Sequence, residues 1–295
     1  MPHRLPGSAE ASSTDGNPRR SAQSPQPPSQ PLSQPLSQPQ SQSQPPHRPL
    51  PAAVRSHLAA ARRQLSGRGW TLLPGVPFLS RGEPDEHAVL DLASRFGVPS
   101  ARDGGRVVWP VAPTGPSSAS SPRATFSTRA GAAGFHTDAQ YHDHPEDYVC
   151  LFVVRPASDG GLTRLLPVET AIFALKTRSD SAGLVDLMSR PLWRWRIPAE
   201  FAVTAPVDAA PFPALPAAGS VRIRWRSDNL DPALPGPLHD AASLIDTVFN
   251  CAQGAVELRL RPGDVLIVDN HRVMHARTWF SDPRRLLLRV RLWRP

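Results

Sequence analysis

The sequence contains little of three things that mark common classes of protein: cysteine, lysine and long apolar runs. Two cysteines in 295 residues, Cys150 and Cys251, argue against a disulfide framework, so we expect reduced thiols in a cytoplasmic protein. No apolar stretch reaches the roughly 20 residues of a membrane-spanning helix, and the first fifty residues lack the apolar core of a signal peptide. The sequence therefore predicts neither a membrane protein nor a secreted one.

Lysine is almost absent, although the chain is basic. The formal net charge is +8, and nearly all of the basic residues are arginines, with Lys176 as the single lysine. A basic chain is compatible with nucleic-acid binding, but these arginines are scattered among acids and apolar residues and form no run that would bind phosphates. We therefore do not expect a nucleic-acid partner.

The composition changes at about residue 50. Ser, Gln and Pro make up nearly all of 21–46, and such a segment has too little apolar surface to offset the entropy lost on ordering. We predict a disordered tail over 1–50. The remaining residues, 51–295, are predicted to form one domain with a sizeable core.

Apolar patterning in this domain indicates mainly strands. Continuous or alternating apolar runs predict strands over 148–154, 193–197, 221–225, 256–260 and 265–268. Helical spacing predicts helices over 52–66, 84–97, 168–176 and 240–250. Many strands with short turns and few helices point to an antiparallel double-sheet roll with flanking helices.

One short stretch offers metal ligands. In Gly134–Asp138, His136 and Asp138 lie two residues apart, and such residues on an extended segment point to the same face. A second imidazole from a distant strand, His275, would complete a face of two histidines and one carboxylate. That ligand set suits non-haem Fe(II) with positions open for a co-substrate and O₂.

The same spacing also occurs elsewhere. A chain of this composition yields about one His-x-acid pair by chance, and His144-Pro145-Glu146 is a second one. Pro145 suits a turn better than a paired strand. We therefore favour His136 and Asp138 over His144 and Glu146.

Further motifs follow the metal motif along the chain. The set comprises Phe135–Asp138, Asp159–Thr163, Pro262–Asp264 with Val268–Asn270, His275–Thr278, and Arg285–Arg289. Together and in this order they resemble the TauD/TfdA superfamily of Fe(II)/2-oxoglutarate-dependent dioxygenases, in its clavaminate-synthase-like and amino-acid-hydroxylase branch. The resemblance covers about 55–295. It implies a mainly β fold with flanking helices: a double-stranded β-helix, or cupin-like jelly roll.

The resemblance also implies a role for each ligand residue. His136, Asp138 and His275 would bind Fe(II), which 2-oxoglutarate would chelate, leaving one position for O₂. His271 competes with His275 as the second imidazole. The Met-His-Ala-Arg-Thr context of His275 is similar to that of the family and favours it.

The far carboxylate of 2-oxoglutarate needs a fixed cation, and arginine is a planar partner that keeps its charge. The family spacing implies Arg289. Alternation supports Arg289 independently, because it lies on the face opposite an apolar row on 286–292, where a buried cation demands an anion. Thr163 would add a hydroxyl hydrogen bond. Arg285 and Arg291 remain alternatives to Arg289.

Asp138 bears on the type of reaction. Halogenases of this superfamily have a small residue in place of the acid, so the resemblance implies hydroxylation or desaturation of an unactivated C–H bond. Decarboxylation of 2-oxoglutarate to succinate and CO₂ would accompany it. The enzyme would be an oxidoreductase, with the metal and co-substrate supplying the oxidising power.

Two segments are expected to recognise the substrate, 112–134 as a lid and about 222–230. In the second, Arg222, Arg224 and Asp228 are candidates to bind the carboxylate and amine of a free or carrier-bound amino acid in specialised metabolism; each also fits a solvated strand edge. An alternative of another class is a catalytically silent jelly-roll binding or regulatory protein. Retention of all three ligands together with Arg289 favours the enzyme.

Overall fold

The described strands and helices lie between residues 52 and 293. A computed structural model describes residues 52–114, 127–181, 183–198, 211–216 and 221–295. The tail predicted over 1–50 and part of the predicted lid lie outside these residues. All described elements belong to one compact unit, Pro46–Pro295.

The described residues form five α-helices and twelve strands. The helices are α1 (Ala52–Arg68), α2 (Glu86–Ser94), α3 (Val168–Thr177), α4 (Leu184–Met188) and α5 (Gly236–Cys251). The strands before α3 are β1 (Trp70–Leu73), β2 (Leu79–Ser80), β3 (Glu83–Pro84), β4 (Val98–Pro99), β5 (Trp109–Val111), β6 (Ala133–His136), β7 (Tyr148–Arg155) and β8 (Thr163–Pro167). The later strands are β9 (Val256–Leu258), β10 (Val265–Asp269), β11 (Val273–Arg277) and β12 (Leu286–Trp293).

Two antiparallel sheets form the body of the fold. The larger sheet has the order β1-β10-β7-β12-β4, with β5 also paired to β12, and the smaller has the order β6-β11-β8-β9. An apolar cluster with members from both sheets, including Val149 and Leu266 of the larger and Leu165 and Val273 of the smaller, lies between them. This arrangement confirms the predicted mainly β jelly roll with flanking helices.

Strand β12 shows how alternation directs side chains. Leu288, Val290 and Leu292 pack into the apolar cluster beneath α1 and α2, where each buried side chain contributes about 1.5–3 kcal/mol. Leu287 faces the other way, into the cluster between the sheets. Arg289 lies on the same side as Leu287. The predicted division of β12 into an apolar face and an arginine-bearing face is therefore confirmed.

Some predicted elements were wrong. Helix α5 begins at Gly236, immediately after Pro235, and not at Asp240. The strand predicted over 221–225 is irregular, because the backbone N–H and C=O of Trp225 bond to Thr137 and not to a neighbouring strand. The tryptophans at 193 and 195 form only isolated bridges.

None of the described helices combines the length and the apolarity needed to cross a lipid bilayer.

Candidate active site

Two imidazoles lie side by side on one face of the smaller sheet. Strands β6 and β11 are antiparallel neighbours, and their register places His136 directly opposite His275. Opposed residues of an antiparallel pair have side chains in contact on one face, and the two ring centroids are 4.2 Å apart. The sheet register thus brings together the two histidines that the sequence predicted as a pair.

Asp138 completes the cluster from the loop that follows β6. Its Oδ1 lies 3.9 Å from Nε2 of His136 and 3.9 Å from Nε2 of His275, and all three residues are buried. Each of these distances is less than two metal–ligand bonds of about 2.1 Å laid end to end. One ion can therefore contact all three atoms. Ala139, with φ of 56°, turns the chain away directly afterwards.

The protonation states of this cluster suit a metal. Burial lowers the pKa of His136 well below its usual value and lowers that of His275 as well, so both imidazoles are neutral at neutral pH. Nδ1 of His136 lies 2.8 Å from the carbonyl of Gly134, an arrangement that places the proton on Nδ1 and the Nε2 lone pair towards the cluster. Neutral imidazoles and a carboxylate are the donor set that a divalent ion requires.

Asp138 is held ionised. Burial raises the pKa of its carboxyl, but nearby positive charge, that of Arg289 above all, lowers it more, to about 2. Nη1 of Arg289 lies 3.1 Å from the Asp138 Oδ2. The carboxylate is therefore available as an anionic ligand over the physiological pH range.

Asn270 fixes the loop that carries Asp138. Its side-chain amide accepts a hydrogen bond from the Asp138 N–H (2.7 Å) and donates to the Asp138 carbonyl (2.9 Å) and to the Glu146 carbonyl (2.9 Å). Asn270 is fully buried. One side chain thus satisfies three buried backbone groups and sets the position of the carboxylate ligand.

The other histidines considered above lie elsewhere. His144 is exposed, and Glu146 is buried in an ion-paired cluster away from it. His271 lies 3.5 Å from Asp147. Among the described residues, His136, Asp138 and His275 form the one group arranged to hold a metal ion.

A cavity opens beside the three ligand residues, between the two sheets. Val111, Ala133, Leu151 and Leu287 form an apolar part of its wall. Thr163 and three arginines form a polar part, and the arginines are Arg277, Arg285 and Arg289. An apolar pocket with several buried cations fits a small molecule with more than one carboxylate.

The three arginines considered as partners of the co-substrate lie in different surroundings. Arg285 immediately precedes β12, and Arg289 and Arg291 belong to it. Arg291 pairs with Asp103 and Glu146 and does not line the cavity. Arg289 lines it close to Asp138 and donates to the Ser127 hydroxyl, 3.3 Å away. Arg285 also lines it and, together with Thr163, lines a second cavity as well.

Arg285 is a buried cation without an acidic partner among the described residues. It is 5 % exposed, and its polar contact is a 3.5 Å hydrogen bond to the Val111 carbonyl, with the Phe280 ring 5.1 Å away. Burial lowers its pKa to about 10. A guanidinium in such surroundings is stabilised by a bound anion.

The predicted substrate residues are placed differently from one another. Arg222 is exposed. Arg224 donates to the carbonyls of His142 and Asp143, at 2.8 and 2.9 Å, and covers the Phe212 ring. Asp228 accepts two hydrogen bonds from Arg226. Their role in substrate binding stays a prediction.

Arg226 lies near the metal ligands, although the sequence did not single it out within the segment 222–230. It is 4 % exposed, and its charge lowers the pKa of His136, Asp138 and His275. The only sequence signal for it is the alternation of arginines around Trp225, which does not distinguish Arg226 from Arg224.

Comparisons with known proteins identify the family to which the chain belongs. The model of the family described as taurine catabolism dioxygenase TauD, TfdA family, matches residues 31–291. The L-asparagine oxygenase of Streptomyces coelicolor is 30% identical over 258 residues, which cover 78% of this chain and 72% of the relative.

Solved structures share the fold. Asparagine oxygenase in complex with Fe(II), 2S,3S-3-hydroxyasparagine and succinate superposes with a TM-score of 0.63 at 23% identity, covering 82% of this chain and 80% of the other. The non-heme iron oxygenase OrfP is similar at 0.57 and 20% identity in complex with Fe and alpha-ketoglutaric acid, with the same coverage. Its complex with Fe, succinate and (3S)-hydroxy-L-Arg gives 0.58 and 18%, covering 82% and 81%.

Proposed function

Because the chain belongs to the taurine catabolism dioxygenase (TauD, TfdA) family and is an iron- and 2-oxoglutarate-dependent dioxygenase, we propose that it hydroxylates a free amino acid. The observation that carries the proposal is the buried cluster of His136, Asp138 and His275 beside a cavity lined with arginines. The amino-acid class is supported by the relatives, which are an asparagine oxygenase and an oxygenase crystallised with hydroxyarginine.

Different residues of the chain would bind the metal, position a ligand and exclude water. The neutral Nε2 atoms of His136 and His275 and the ionised Asp138 would hold the iron, and Asn270 would keep the carboxylate in position. When bound, iron and 2-oxoglutarate supply the oxidising power, since O₂ is consumed as 2-oxoglutarate loses CO₂ to become succinate and one oxygen atom enters a substrate C–H bond. The apolar cavity wall would exclude water from this reaction.

We assign the far carboxylate of 2-oxoglutarate to Arg289 and Thr163, with Arg285 as a second cation. Arg289 and Thr163 both line the cavity, and both are buried. Arg285 is supported by its burial without an acidic partner among the described side chains. Two guanidinium groups around one carboxylate would favour a dicarboxylate co-substrate over a monocarboxylate.

The substrate side of the cavity is proposed to include Asp228, which would accept a hydrogen bond from the ammonium group of the amino acid. Arg224 is the weaker candidate for the carboxylate, because its guanidinium already donates to main-chain carbonyls. The free form is proposed over the carrier-bound one because the relatives were crystallised with free hydroxylated amino acids. The cytoplasmic location expected from the sequence stays a prediction.

The first test is an anaerobic titration of the protein with Fe(II) and 2-oxoglutarate, followed by visible absorption. Chelation of 2-oxoglutarate to a ferrous site of this type gives a charge-transfer band, which we expect in the wild type and not in His136→Ala. His144→Ala is the matched control, because it removes the exposed histidine of the rival motif. A band that survives in H136A but not in H144A would contradict the assigned site.

The same preparation then tests the reaction. Succinate formation in air is measured with each of the twenty common amino acids, and hydroxylated product is sought by mass spectrometry. We expect at least one amino acid to raise succinate formation well above the substrate-free rate. A folded protein that shows the band but responds to no free amino acid would contradict the proposed substrate class.

A second prediction distinguishes the contributions of Arg289 and Arg285 to the binding of 2-oxoglutarate. Arg289→Gln is expected to raise the KM for 2-oxoglutarate by about 10²-fold and Arg285→Gln by about 10-fold, because each removes a charge-assisted hydrogen bond to the co-substrate. Arg284→Gln is the control, since its side chain is 72% exposed next to Asp282. An R285Q enzyme with unchanged KM would remove Arg285 from the co-substrate site.

A further inference from the structure

A second cavity lies next to the one beside the metal ligands. It has a volume of about 290 Å³ and lies at the end of the two sheets where β7 ends, β8 begins and β9 connects to β10. Thr163, Arg285 and Leu287 line both cavities. The two cavities are therefore neighbours, and these three side chains belong to their common wall.

The strand register relates the second cavity to the metal site. Leu151 lines the first cavity and pairs with Arg289, whereas Val153 lines the second cavity and pairs with Leu287. Arg285 precedes Leu287 by two residues, and residues two apart on an extended segment point to the same face. One row of side chains therefore leads from Arg289, beside the metal ligands, to Arg285 at the second cavity.

The outer rim of the second cavity is basic. Arg259 and Arg261 line it, and both are exposed. None of the described residues that line it is acidic. Asp282, on a neighbouring segment, accepts hydrogen bonds from the N–H and the hydroxyl of Ser158. With Arg285 in its inner wall, the second cavity attracts anions from solvent.

Arg285 is placed to transfer an anion from one cavity to the other. Its hydrogen bond to the Val111 carbonyl is 3.5 Å long, which is a weak contact for a guanidinium. A long side chain held in this way can rotate at little cost. An anion that moves between the cavities would keep a charge-assisted hydrogen bond to the same guanidinium throughout.

We propose that the dicarboxylates exchange through the second cavity, so that 2-oxoglutarate enters and succinate leaves by it. Arg259 and Arg261 capture the dianion, and Arg285 transfers it towards Arg289 and Thr163. The proposal rests on the 2-oxoglutarate dependence of the family and not on the amino-acid class of the substrate.

The variant Arg259→Glu/Arg261→Glu tests the capture step. The anaerobic Fe(II)-loaded protein is mixed rapidly with 2-oxoglutarate, and the growth of the visible band is followed; the slope of the observed rate against concentration gives kon, and the intercept gives koff. At low salt we expect kon to fall about 10-fold, because repulsion of the dianion replaces attraction. At about 1 M salt, which screens charges beyond about 3 Å, variant and wild type should converge.

Arg63→Glu/Arg190→Glu is the matched control for this variant. Both residues are exposed and line neither cavity, and the change in net charge is the same. An equal fall of kon in the two variants would mean that the net charge of the protein sets the rate, and would overturn the proposal. An unchanged kon in R259E/R261E would overturn it as well.

Ala157→Trp tests passage through the second cavity. Ala157 lines this cavity and not the first one, and it is half-buried. An obstructed passage slows entry and exit by the same factor, so we expect kon and koff to fall together by about 10-fold and Kd to stay within about twofold. Ala59→Trp, at an exposed position of α1, is the control. Ala157→Leu is the smaller obstruction to use where tryptophan unfolds the protein.

Unchanged rates in the folded Ala157 variant would mean that the arginines attract 2-oxoglutarate to another opening, and would overturn the proposal. A changed Kd with an unchanged kon would make the second cavity a binding site and not a passage, which also overturns it. All of these rates are measured without an amino acid. Failure of the proposed substrate class therefore leaves this test unaffected.

Discussion

At the scale of single residues, the site depends on one buried amide as much as on the three ligands. Asn270 touches no ligand side chain, but it satisfies the N–H and C=O of Asp138 and the C=O of Glu146. A buried backbone group left without a partner costs about 1–3 kcal/mol. Asn270 therefore contributes to the stability of the fold and to the placement of the carboxylate at the same time.

Replacement of Asn270 by alanine is expected to lower the free energy of unfolding by about 2–4 kcal/mol and to weaken Fe(II) binding about 10- to 100-fold, because the Asp138 loop loses its anchor. Urea denaturation and Fe(II) titration measure the two effects. Asn250→Ala is the control, since Asn250 is exposed at the end of α5. An N270A protein with unchanged iron affinity would show that the loop holds Asp138 without the amide.

At the scale of elements, the turn between β7 and β8 is hydrogen-bonded to the loop that follows β11 and packs closely against it. The Asp159 carboxylate accepts hydrogen bonds from the N–H groups of Ser281 and Asp282. Gly160 has φ of 146°, and a Cβ at this position would collide with the carbonyl of Trp279. The two chain segments approach this closely only because residue 160 is a glycine.

Gly160→Ala is expected to destabilise the protein by about 2–4 kcal/mol, since it combines a disfavoured backbone conformation with a collision against backbone. Gly67→Ala is the matched control. Gly67 lies in α1 with nothing near its would-be side chain, so alanine there should be neutral or stabilising by up to about 1 kcal/mol. Thermal and urea denaturation of both variants compare the two glycines. Equal effects would contradict the close approach.

At the scale of the whole molecule, the described residues form three apolar clusters, one between the sheets and one on the outer face of each. His136, Asp138 and His275 lie where a cavity with an apolar and a polar part opens between the sheets. These ligands come from β6, the following loop and β11, so a bound ion joins segments that are far apart in the chain. Ligands that bind only the folded state stabilise it by mass action.

Saturating metal and 2-oxoglutarate should therefore raise the stability of the whole domain. At about 100 times the dissociation constant the gain is about 2.7 kcal/mol, which corresponds to a rise in Tm of about 5–10 °C for a domain of this size. Anaerobic thermal denaturation measures it, and a chelator should reverse it. H136A should show no rise; an equal rise in H136A would place the stabilising ion elsewhere.

The sequence was sufficient for the β fold and for the outline of the metal site. The alternation of residue types predicted the two faces of β12. Both faces are buried, and one is wholly apolar whereas the other bears an arginine. The pairing of His136 with His275 came from the family resemblance, since spacing alone also allowed His144 and His271. The structure adds that the two histidines are paired directly in the register of β6 and β11.

The position of Arg226 and the hydrogen-bond partners of Asn270 show what the sequence could not supply. The segment of Arg226 is irregular, and its direction depends on where Trp225 packs and on the bonds of Thr137. Alternation gave Arg224 and Arg226 the same face, yet Arg224 turns to the carbonyls after the metal loop. The three-way bonding of Asn270 likewise requires contacts between distant parts of the chain.

The opposition of His136 and His275 has a consequence during protein synthesis. His136 and Asp138 leave the ribosome early, whereas His275 and Arg289 belong to the last two strands. At about 5–20 residues per second, the nascent chain exists for on the order of ten seconds with two of its three ligands. Two ligands hold an ion weakly, so we expect iron, and the oxidising chemistry that it brings, to enter only a finished domain.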